Sequence, residues 1–166
     1  MTVHFESLSQ ATLYPDTLGV PAPETAPPRD MWPRKPGVFL RKPSGPEAAG
    51  RERVIGQFGL VPPWVKSASD AKLRSPKLVT ARSETVSTSK NFRDAWLKGQ
   101  PMGVAGLWER WTAADGAEII SFTLLTVNAN QHALMHRYQH PGSEKRMPVI
   151  LGEGAYDAWL NVARPE

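Results

Sequence analysis

The stretch GVAGLWERWTAADGAEIISFTLLTV, residues 103–127, carries the clearest structural signal in this chain. Its two ends, GVAGLWERW and EIISFTLLTV, are rich in the aromatic and β-branched residues that favour strands. The segment between them, TAADGA, contains an Asp-Gly pair, which is a strong signal for a tight turn. The sequence therefore predicts a β-hairpin, around which the remaining elements are arranged.

Shorter elements are predicted on both sides of the hairpin. Before it, we expect a strand, an apolar segment broken by Gly and Pro, a short strand, and a helix capped by Asn91, at GVFLR (37–41), VIGQFGLVPPW (54–64), KLVTA (77–81) and NFRDAWL (91–97). After it, we expect a helix, a loop, a strand and a closing helix, at NANQHALMHRY (128–138), HPGSEKR (140–146), MPVIL (147–151) and EGAYDAWL (153–160). The sum is a mixed, β-rich α+β fold.

Length and composition predict a single domain over residues 1–166. The chain has 166 residues, of which 40% are hydrophobic, and this is enough for one ordinary core. Most of the 16 prolines fall within residues 15–50. We expect that segment to wrap a surface as extended chain and turns.

Several classes of protein are excluded by what the sequence lacks. With no cysteine, the chain has no disulfide, no thiolate metal site and no cysteine nucleophile. No apolar run approaches the roughly 18–20 residues of a membrane-spanning helix. The first residues, MTVHFESLSQ, have neither the basic nor the apolar part of a secretion signal. We therefore expect a soluble protein that stays in the compartment where it is made.

The charge of the chain is unevenly distributed. The formal net charge is +4, but residues 29–98 hold 15 Lys and Arg against 6 Asp and Glu. A basic segment on an otherwise acidic chain suggests a surface that faces a polyanion, although a solvated basic face without a partner is an equally simple interpretation.

Three histidines at a spacing of four residues, His132, His136 and His140, resemble a set of metal ligands. A helix rises about 12 Å over eight residues, whereas a zinc–nitrogen bond is about 2.1 Å long. One ion could therefore bridge two of these rings at most, and we predict neither a metal nor a cofactor.

The stretch TARSETV (80–86) places Arg82 and Glu84 two residues apart. On a strand both side chains would point to the same face, so an ion pair is predicted in which Glu84 orients Arg82. The sequence contains none of the common nucleotide-binding, hydrolase or zinc-protease motifs. Generic motifs therefore leave the function open.

Several segments taken together resemble the SOS response-associated peptidase family, also called SRAP. Their order and approximate spacing match the family, and HFES (4–7) with the proline-rich segment is similar to the front of one bacterial branch. The matching segments are FGLVPPWVK (58–66), TARSETV (80–86), KNFRDAW (90–96), GVAGLWERW (103–111), SFTLLTVNAN (121–130), EKRMPVIL (144–151) and YDAWL (156–160).

The resemblance implies a β-rich SRAP-type fold, with a mixed, partly barrel-like sheet, peripheral helices and a groove for single-stranded DNA that carries an abasic site. In the family, an N-terminal cysteine exposed by removal of the initiator Met closes on the abasic aldehyde as a thiazolidine. By motif, Arg82 and Arg146 would bind phosphate, Trp64 would stack on a base, and Lys66 in the same segment would also bind the DNA. The implied location is the bacterial cytoplasm, close to the nucleoid.

The sequence departs from the family pattern at each active-site position. Thr2 stands where the family has its cysteine, and Thr80 stands where it has an asparagine. The family's catalytic glutamate lies on a segment that is missing where Gln100 runs into Pro101, so strands are expected to be absent at the 100/101 junction. The active-site histidine aligns with Gln139, which puts His140 one place late.

Two interpretations of these departures stay open. The chain is either a degenerate, internally deleted relative with impaired or lost chemistry, or a protein in which Thr2 acts as an N-terminal nucleophile, with His140 and Glu84 as the remaining candidates for chemistry. The rival functions are a non-enzymatic single-stranded DNA-binding or scaffold protein and an inert remnant. Whether the chain is an enzyme is not decided by the sequence.

Overall fold

The computed structural model describes residues 4–9, 11–45, 49–82, 84, 104–133, 135–137, 140–151 and 153–161. Within these ranges one mixed sheet of six strands dominates, beside a small two-stranded sheet. The small sheet pairs β1 with β2, and the large sheet contains β3 to β8. The strands are β1 Phe5–Glu6, β2 Asp30–Met31, β3 Pro36–Arg41, β4 Glu52–Phe58, β5 Thr80–Arg82, β6 Gly106–Thr112, β7 Glu118–Asn128 and β8 Arg146–Pro148.

The 11-residue strand β7 organises the large sheet. Along one edge it pairs antiparallel with β6 and then with β8, and along the other it pairs parallel with β4 and then with β5. Strand β3 extends the sheet by pairing antiparallel with β4. The predicted hairpin is confirmed as β6 and β7, and its turn contains Gly116 at a positive φ of 85°. The sheet-dominated architecture with few helices confirms the mixed, β-rich prediction.

One face of the large sheet, which we call the aromatic face, carries Phe39, Phe58 and Phe122. The ring centroid of Phe122 lies 5.4 Å from those of both Phe39 and Phe58. The small sheet covers this face with Met31 and with Phe5, whose ring meets that of Phe58 edge-on at 5.2 Å. These contacts seat the amino-terminal strand directly on the core.

The opposite face packs against the helix α1, Ala68–Arg74. Trp111 is buried there together with Val61, Val65 and Ala71, and its indole nitrogen donates a hydrogen bond of 2.5 Å to the Val65 carbonyl. Ser67 caps the helix by accepting a bond from the amide of Asp70 at 3.1 Å. This helix was not predicted from the sequence.

The predicted helix over residues 128–138 is wrong. Only a single 3₁₀ turn, Met135–Arg137, is helical among its described residues. The Asn128 side chain accepts from the amide of Asn130 at 2.9 Å, and His132 Nδ1 accepts from the amide of Met135 at 3.1 Å. Such local side-chain bonds compete with the helical ladder for backbone donors, which explains why the apolar period did not decide the conformation.

The other predicted elements have mixed outcomes. The closing helix is confirmed as a 3₁₀ turn followed by α2, Tyr156–Leu160. The strand predicted at 77–81 starts later, at Thr80, because Ser75–Lys77 form a 3₁₀ turn. The extended segment 15–50 is interrupted by a π-helical turn, Tyr14–Leu18, and by β2 and β3.

The helix predicted at 91–97 and the 100/101 junction lie outside the described residues. In the part of the chain that the structure describes, no helix is both long enough and apolar enough to cross a membrane.

Candidate functional site

The candidate site lies at the carboxyl end of β7, where β5 ends and β8 begins. Strand register pairs Arg82 with Thr126 and Arg146 with Asn128. Directly opposed residues share a face of a sheet, and every second residue along a strand returns to that face. The side chains of these four residues therefore lie on the same face as Phe122, which is the aromatic face.

Arg146 is the centre of the site. Its side chain is only 7% exposed, and its guanidinium is bound on several sides. Nε donates to Thr126 Oγ1 at 3.2 Å and Nη2 donates to the Thr126 carbonyl at 2.7 Å. Thr126 Oγ1 in turn donates to the Ala81 carbonyl at 3.0 Å. A buried arginine requires this many acceptors, because an unpaired buried charge is strongly unfavourable.

Two carboxylates complete the surroundings of Arg146. Glu84 accepts hydrogen bonds from Arg146 Nη2 at 2.8 Å and from Arg146 Nη1 at 3.4 Å. Its Oε1 also accepts a hydrogen bond from the backbone amide of Asn128 at 3.0 Å. Glu144 accepts hydrogen bonds from Arg146 Nη1 at 2.7 Å and from the Asn128 side-chain amide at 3.1 Å. Its second oxygen, Oε2, pairs with Arg82 Nη2 at 2.9 Å. The Glu144 carboxylate therefore bridges two guanidinium groups.

Electrostatics keep both carboxylates ionised. Hydrogen bonding from Arg146 is the main reason why the pKa of Glu84 falls from 4.5 to about 2, and backbone amide bonds add to it. The same arginine lowers the pKa of Glu144, with help from Asn128 and Arg82. Burial alone would lower the pKa of Arg146, but its bonds to Glu84 and Glu144 outweigh burial and raise it. Carboxylates held in this way are poor proton acceptors near neutral pH, so the site is suited to binding charge rather than to acid–base work.

The predicted ion pair between Arg82 and Glu84 is wrong. Arg82 pairs with Glu144, while Glu84 pairs with Arg146. The prediction assumed that a strand continues through Glu84, but β5 ends at Arg82. Beyond the strand end the alternation of side chains is lost, and Glu84 turns instead toward β8. The Arg82 side chain is 59% exposed and is the accessible cation of this site.

Trp64 and Lys66 lie elsewhere, in the loop between β4 and α1. Trp64 packs with the cluster around Trp111, and the guanidinium carbon of Arg74 lies 4.7 Å from the centre of its ring. That cluster borders Ile119, seven residues along β7 from Thr126 and on the opposite face. Seven residues of strand span about 23 Å. Trp64 therefore packs on the face of the sheet opposite to that of Arg82 and Arg146.

His140, another of the predicted site residues, lies in the loop that precedes β8. His140 is exposed, and its carbonyl accepts bonds from Ser143 Oγ at 2.8 Å and from the ammonium of Lys145. These bonds shape the loop that leads to Glu144. Thr2 and Gln139 lie outside the described residues. Among the side chains that the structure describes, no group of three or more His, Cys, Asp or Glu could hold a metal ion.

Three residues of the site were not predicted from the sequence, namely Glu144, Thr126 and Asn128. A signal for Glu144 was available, since Glu-Lys-Arg places a carboxylate two residues before Arg146 at the start of a predicted strand. Thr126 and Asn128 carry no comparable signal, because their roles depend on the register of β7 against β5 and β8.

The start of the described chain lies on the same face of the sheet as the site. Phe5 packs on Phe58, while His4 stacks on Trp32 with ring centroids 4.5 Å apart and binds Asp30 at 2.8 Å. Phe58 is paired in register with Phe122, four residues before Thr126 on β7. The small sheet thus holds the amino-terminal segment on the aromatic face.

Comparison with known proteins gives two kinds of relative. Residues 96–166 match the family model described as SOS response associated peptidase (SRAP). The abasic site processing proteins YoqW and YoaM of Bacillus subtilis are 28% and 27% identical over 135 residues, covering 63% of this chain and 55% of each relative. The chain therefore spans about half the length of the curated relatives it matches.

Solved structures extend the comparison to almost the whole chain. A protein from Bordetella bronchiseptica superposes with a TM-score of 0.81 and 32% identity, covering 97% of this chain and 88% of the other. A protein from Bacteroides thetaiotaomicron has the same fold, with a TM-score of 0.69 at 19% identity, covering 95% of this chain and 80% of the other. Together with the matched segments around β7, β8 and α2, these relationships identify the chain as a member of the SOS response associated peptidase family.

Proposed function

We propose that this protein binds single-stranded DNA carrying an abasic site, with Arg82 as its main phosphate ligand. The names of YoqW and YoaM, both abasic site processing proteins, support this ligand class. The observation that carries the proposal is the exposed Arg82 beside the fixed Arg146, on the face that also holds the amino-terminal segment. Arginine suits this task because its planar fork matches two phosphate oxygens. A DNA ligand also favours a cytoplasmic location near the nucleoid.

The two arginines have different roles in this proposal. Arg82 is accessible and contacts phosphate at the surface, whereas Arg146 is buried and would contact it through Nη1, the nitrogen that pairs with Glu144. Trp64 and Lys66 would contact the same strand several nucleotides away, with the Trp64 ring stacking on a base. The groove is then a path around an edge of the sheet rather than one pocket.

Cross-linking chemistry would have to start at Thr2. After Met removal, its amine could attack the abasic aldehyde carbon, forming a C=N bond and releasing water. Its hydroxyl could then add to that carbon, passing its proton to nitrogen and closing an oxazolidine. Thr2 lies three positions before Phe5, a reach of about 10 Å in extended chain. Both adducts hydrolyse, so protection of the lesion would be transient.

A non-enzymatic binding function is the second candidate. It is favoured by the lowered pKa values of Glu84 and Glu144, because carboxylates that stay ionised are not suited to accepting a proton. On this interpretation the chain is a degenerate relative that keeps the binding face and has lost the chemistry.

One experiment separates the two candidates. Purified protein is incubated with single-stranded DNA bearing one abasic site, with and without borohydride, and resolved on a denaturing gel. An adduct seen only with borohydride identifies a Schiff base, and mass spectrometry of the peptide that carries the reduced adduct would locate it at the Thr2 amine. No adduct from folded protein that still binds the DNA would support the non-enzymatic candidate. Absence of binding to any single-stranded DNA would overturn the proposal.

A further inference from the structure

The position between Arg82 and Arg146 is occupied by a carboxylate of the protein itself. Glu144 Oε2 lies 2.9 Å from Arg82 Nη2, and Glu144 Oε1 lies 2.7 Å from Arg146 Nη1. A carboxylate that gives one oxygen to each of two guanidinium groups marks where two oxygens of a phosphate would sit. We propose that Glu144 is a built-in competitor that fills this anion site and must leave before a phosphate group binds.

The bonding of the two arginines explains why departure of Glu144 would leave a formed site. Arg146 keeps its bonds to Glu84 and to both oxygens of Thr126, so its guanidinium stays in place. Arg82 loses its carboxylate partner at the surface and turns to the ligand. Glu84 does not compete in the same way, because among the described residues its ion pair is with Arg146 alone.

The competition determines which phosphate ligands the site accepts. A tethered group has an effective concentration in the millimolar range or above, so a lone phosphate at lower concentration cannot displace it. A strand that makes further contacts elsewhere on the protein gains enough free energy to do so. Glu144 would therefore make the site reject small phosphates while it accepts a polyanion. This selectivity for the polyanion rests on the proposed function, whereas the competition itself does not.

The direct test uses inorganic phosphate as the probe, so that it does not depend on DNA. Phosphate is titrated at constant ionic strength while the side-chain Nε–Hε resonance of Arg82 is followed by NMR. Glu144→Gln removes the competing charge, and we expect its dissociation constant for phosphate to be about tenfold lower than that of the unmodified protein. Glu144→Asp keeps the charge but is too short to bridge both arginines, and it should also lower the constant.

Glu52→Gln is the matched control. Glu52 likewise pairs with a mostly buried arginine, Arg41, at 2.8 Å, and its substitution changes the net charge by the same amount. We expect its phosphate affinity to be unchanged. An equal gain in Glu52→Gln would attribute the effect to net charge and overturn the proposal. So would unchanged affinity in folded Glu144→Gln or Glu144→Asp, or a gain that survives addition of Arg82→Ala.

Failure of this inference and failure of the DNA-binding proposal are distinguishable. If the Glu144 variants bind phosphate more tightly but no form of the protein binds single-stranded DNA, the competitor role stands and the DNA proposal falls. If DNA binds and the Glu144 variants gain no phosphate affinity, the anion site between the two arginines is overturned while DNA binding stands.

Discussion

Arg146 and Glu84, which are 62 residues apart in the chain, form a two-point ion pair with nitrogen–oxygen distances of 2.8 and 3.4 Å. The pair ties the segment after β5 to the first residue of β8 across the end of β7. Because Arg146 is buried, loss of either partner leaves a charge without adequate compensation. Glu84 is therefore a structural carboxylate, and its removal should lower the free energy of unfolding.

Glu84→Gln should lower the free energy of unfolding by about 1 kcal/mol at pH 7, a value reduced from the full pKa shift because the side chain is 46% exposed. The pKa of Glu84 is depressed in the folded state, from 4.5 to about 2. Its contribution is therefore complete above pH 4.5 and is lost as the pH falls toward 2. Urea unfolding of both proteins between pH 2 and 7 measures the difference.

The charge-matched control for that comparison is Glu118→Gln, since Glu118 is exposed and lies 3.9 Å from Arg110. It should change stability little at any pH. If Glu84→Gln proved as mild as Glu118→Gln throughout the range, the structural role assigned to Glu84 would be wrong.

Arg82→Ala should weaken binding to single-stranded DNA and reduce its salt dependence. Each phosphate contact on a single strand contributes about 0.7 to the slope of log K against log salt concentration. We expect the slope to fall by about that amount, as measured by fluorescence anisotropy at several salt concentrations. Arg110→Ala removes an arginine of similar exposure from the other end of the sheet, and it should leave the slope unchanged. Equal effects of the two substitutions would argue against a specific role for Arg82.

Trp64→Ala should lower the free energy of unfolding, because the ring packs with the Trp111 cluster and against Arg74. It should also lower the affinity for DNA, because the proposed stacking on a base is lost. We expect a loss of roughly 1–2 kcal/mol in unfolding free energy, less than for a fully buried Trp. Trp64→Phe should retain most of the affinity if the ring stacks on a base. Trp32→Ala provides a comparison for stability, since Trp32 is 45% exposed and should cost much less. Affinity that survives Trp64→Ala would remove this residue from the binding path.

Gly37→Ala should loosen the small sheet from the aromatic face. A Cβ at this position would lie 2.6 Å from Met31 Cε and 3.0 Å from Phe122 Cζ, so Met31 must move. Overpacking of this kind typically costs about 1–3 kcal/mol, and thermal unfolding measures it. Gly154→Ala is the control, because nothing lies within 4 Å of a Cβ built there. Equal melting temperatures for the two variants would mean that the small sheet is not held as closely as these contacts indicate.

Much of the fold could be predicted because its signals are local. The Asp-Gly turn and the flanking apolar runs specify the β6–β7 hairpin within 25 residues of sequence. The closing helix α2 was found in the same way. Where side chains compete for the backbone, as Asn128 and His132 do, periodicity misled and a loop replaced the predicted helix.

Only part of the candidate site could be predicted from the sequence. By itself the sequence determined the hairpin, the β-rich class and the family motifs, and it identified Arg82 and Arg146 as candidate phosphate ligands. Only the tertiary structure decided the ionic partners, pairing Glu84 with Arg146 and Glu144 with Arg82. The physical reason is that an ion pair depends on distance in space, and here that distance is set by the register of β5 and β8 on β7 rather than by spacing along the chain.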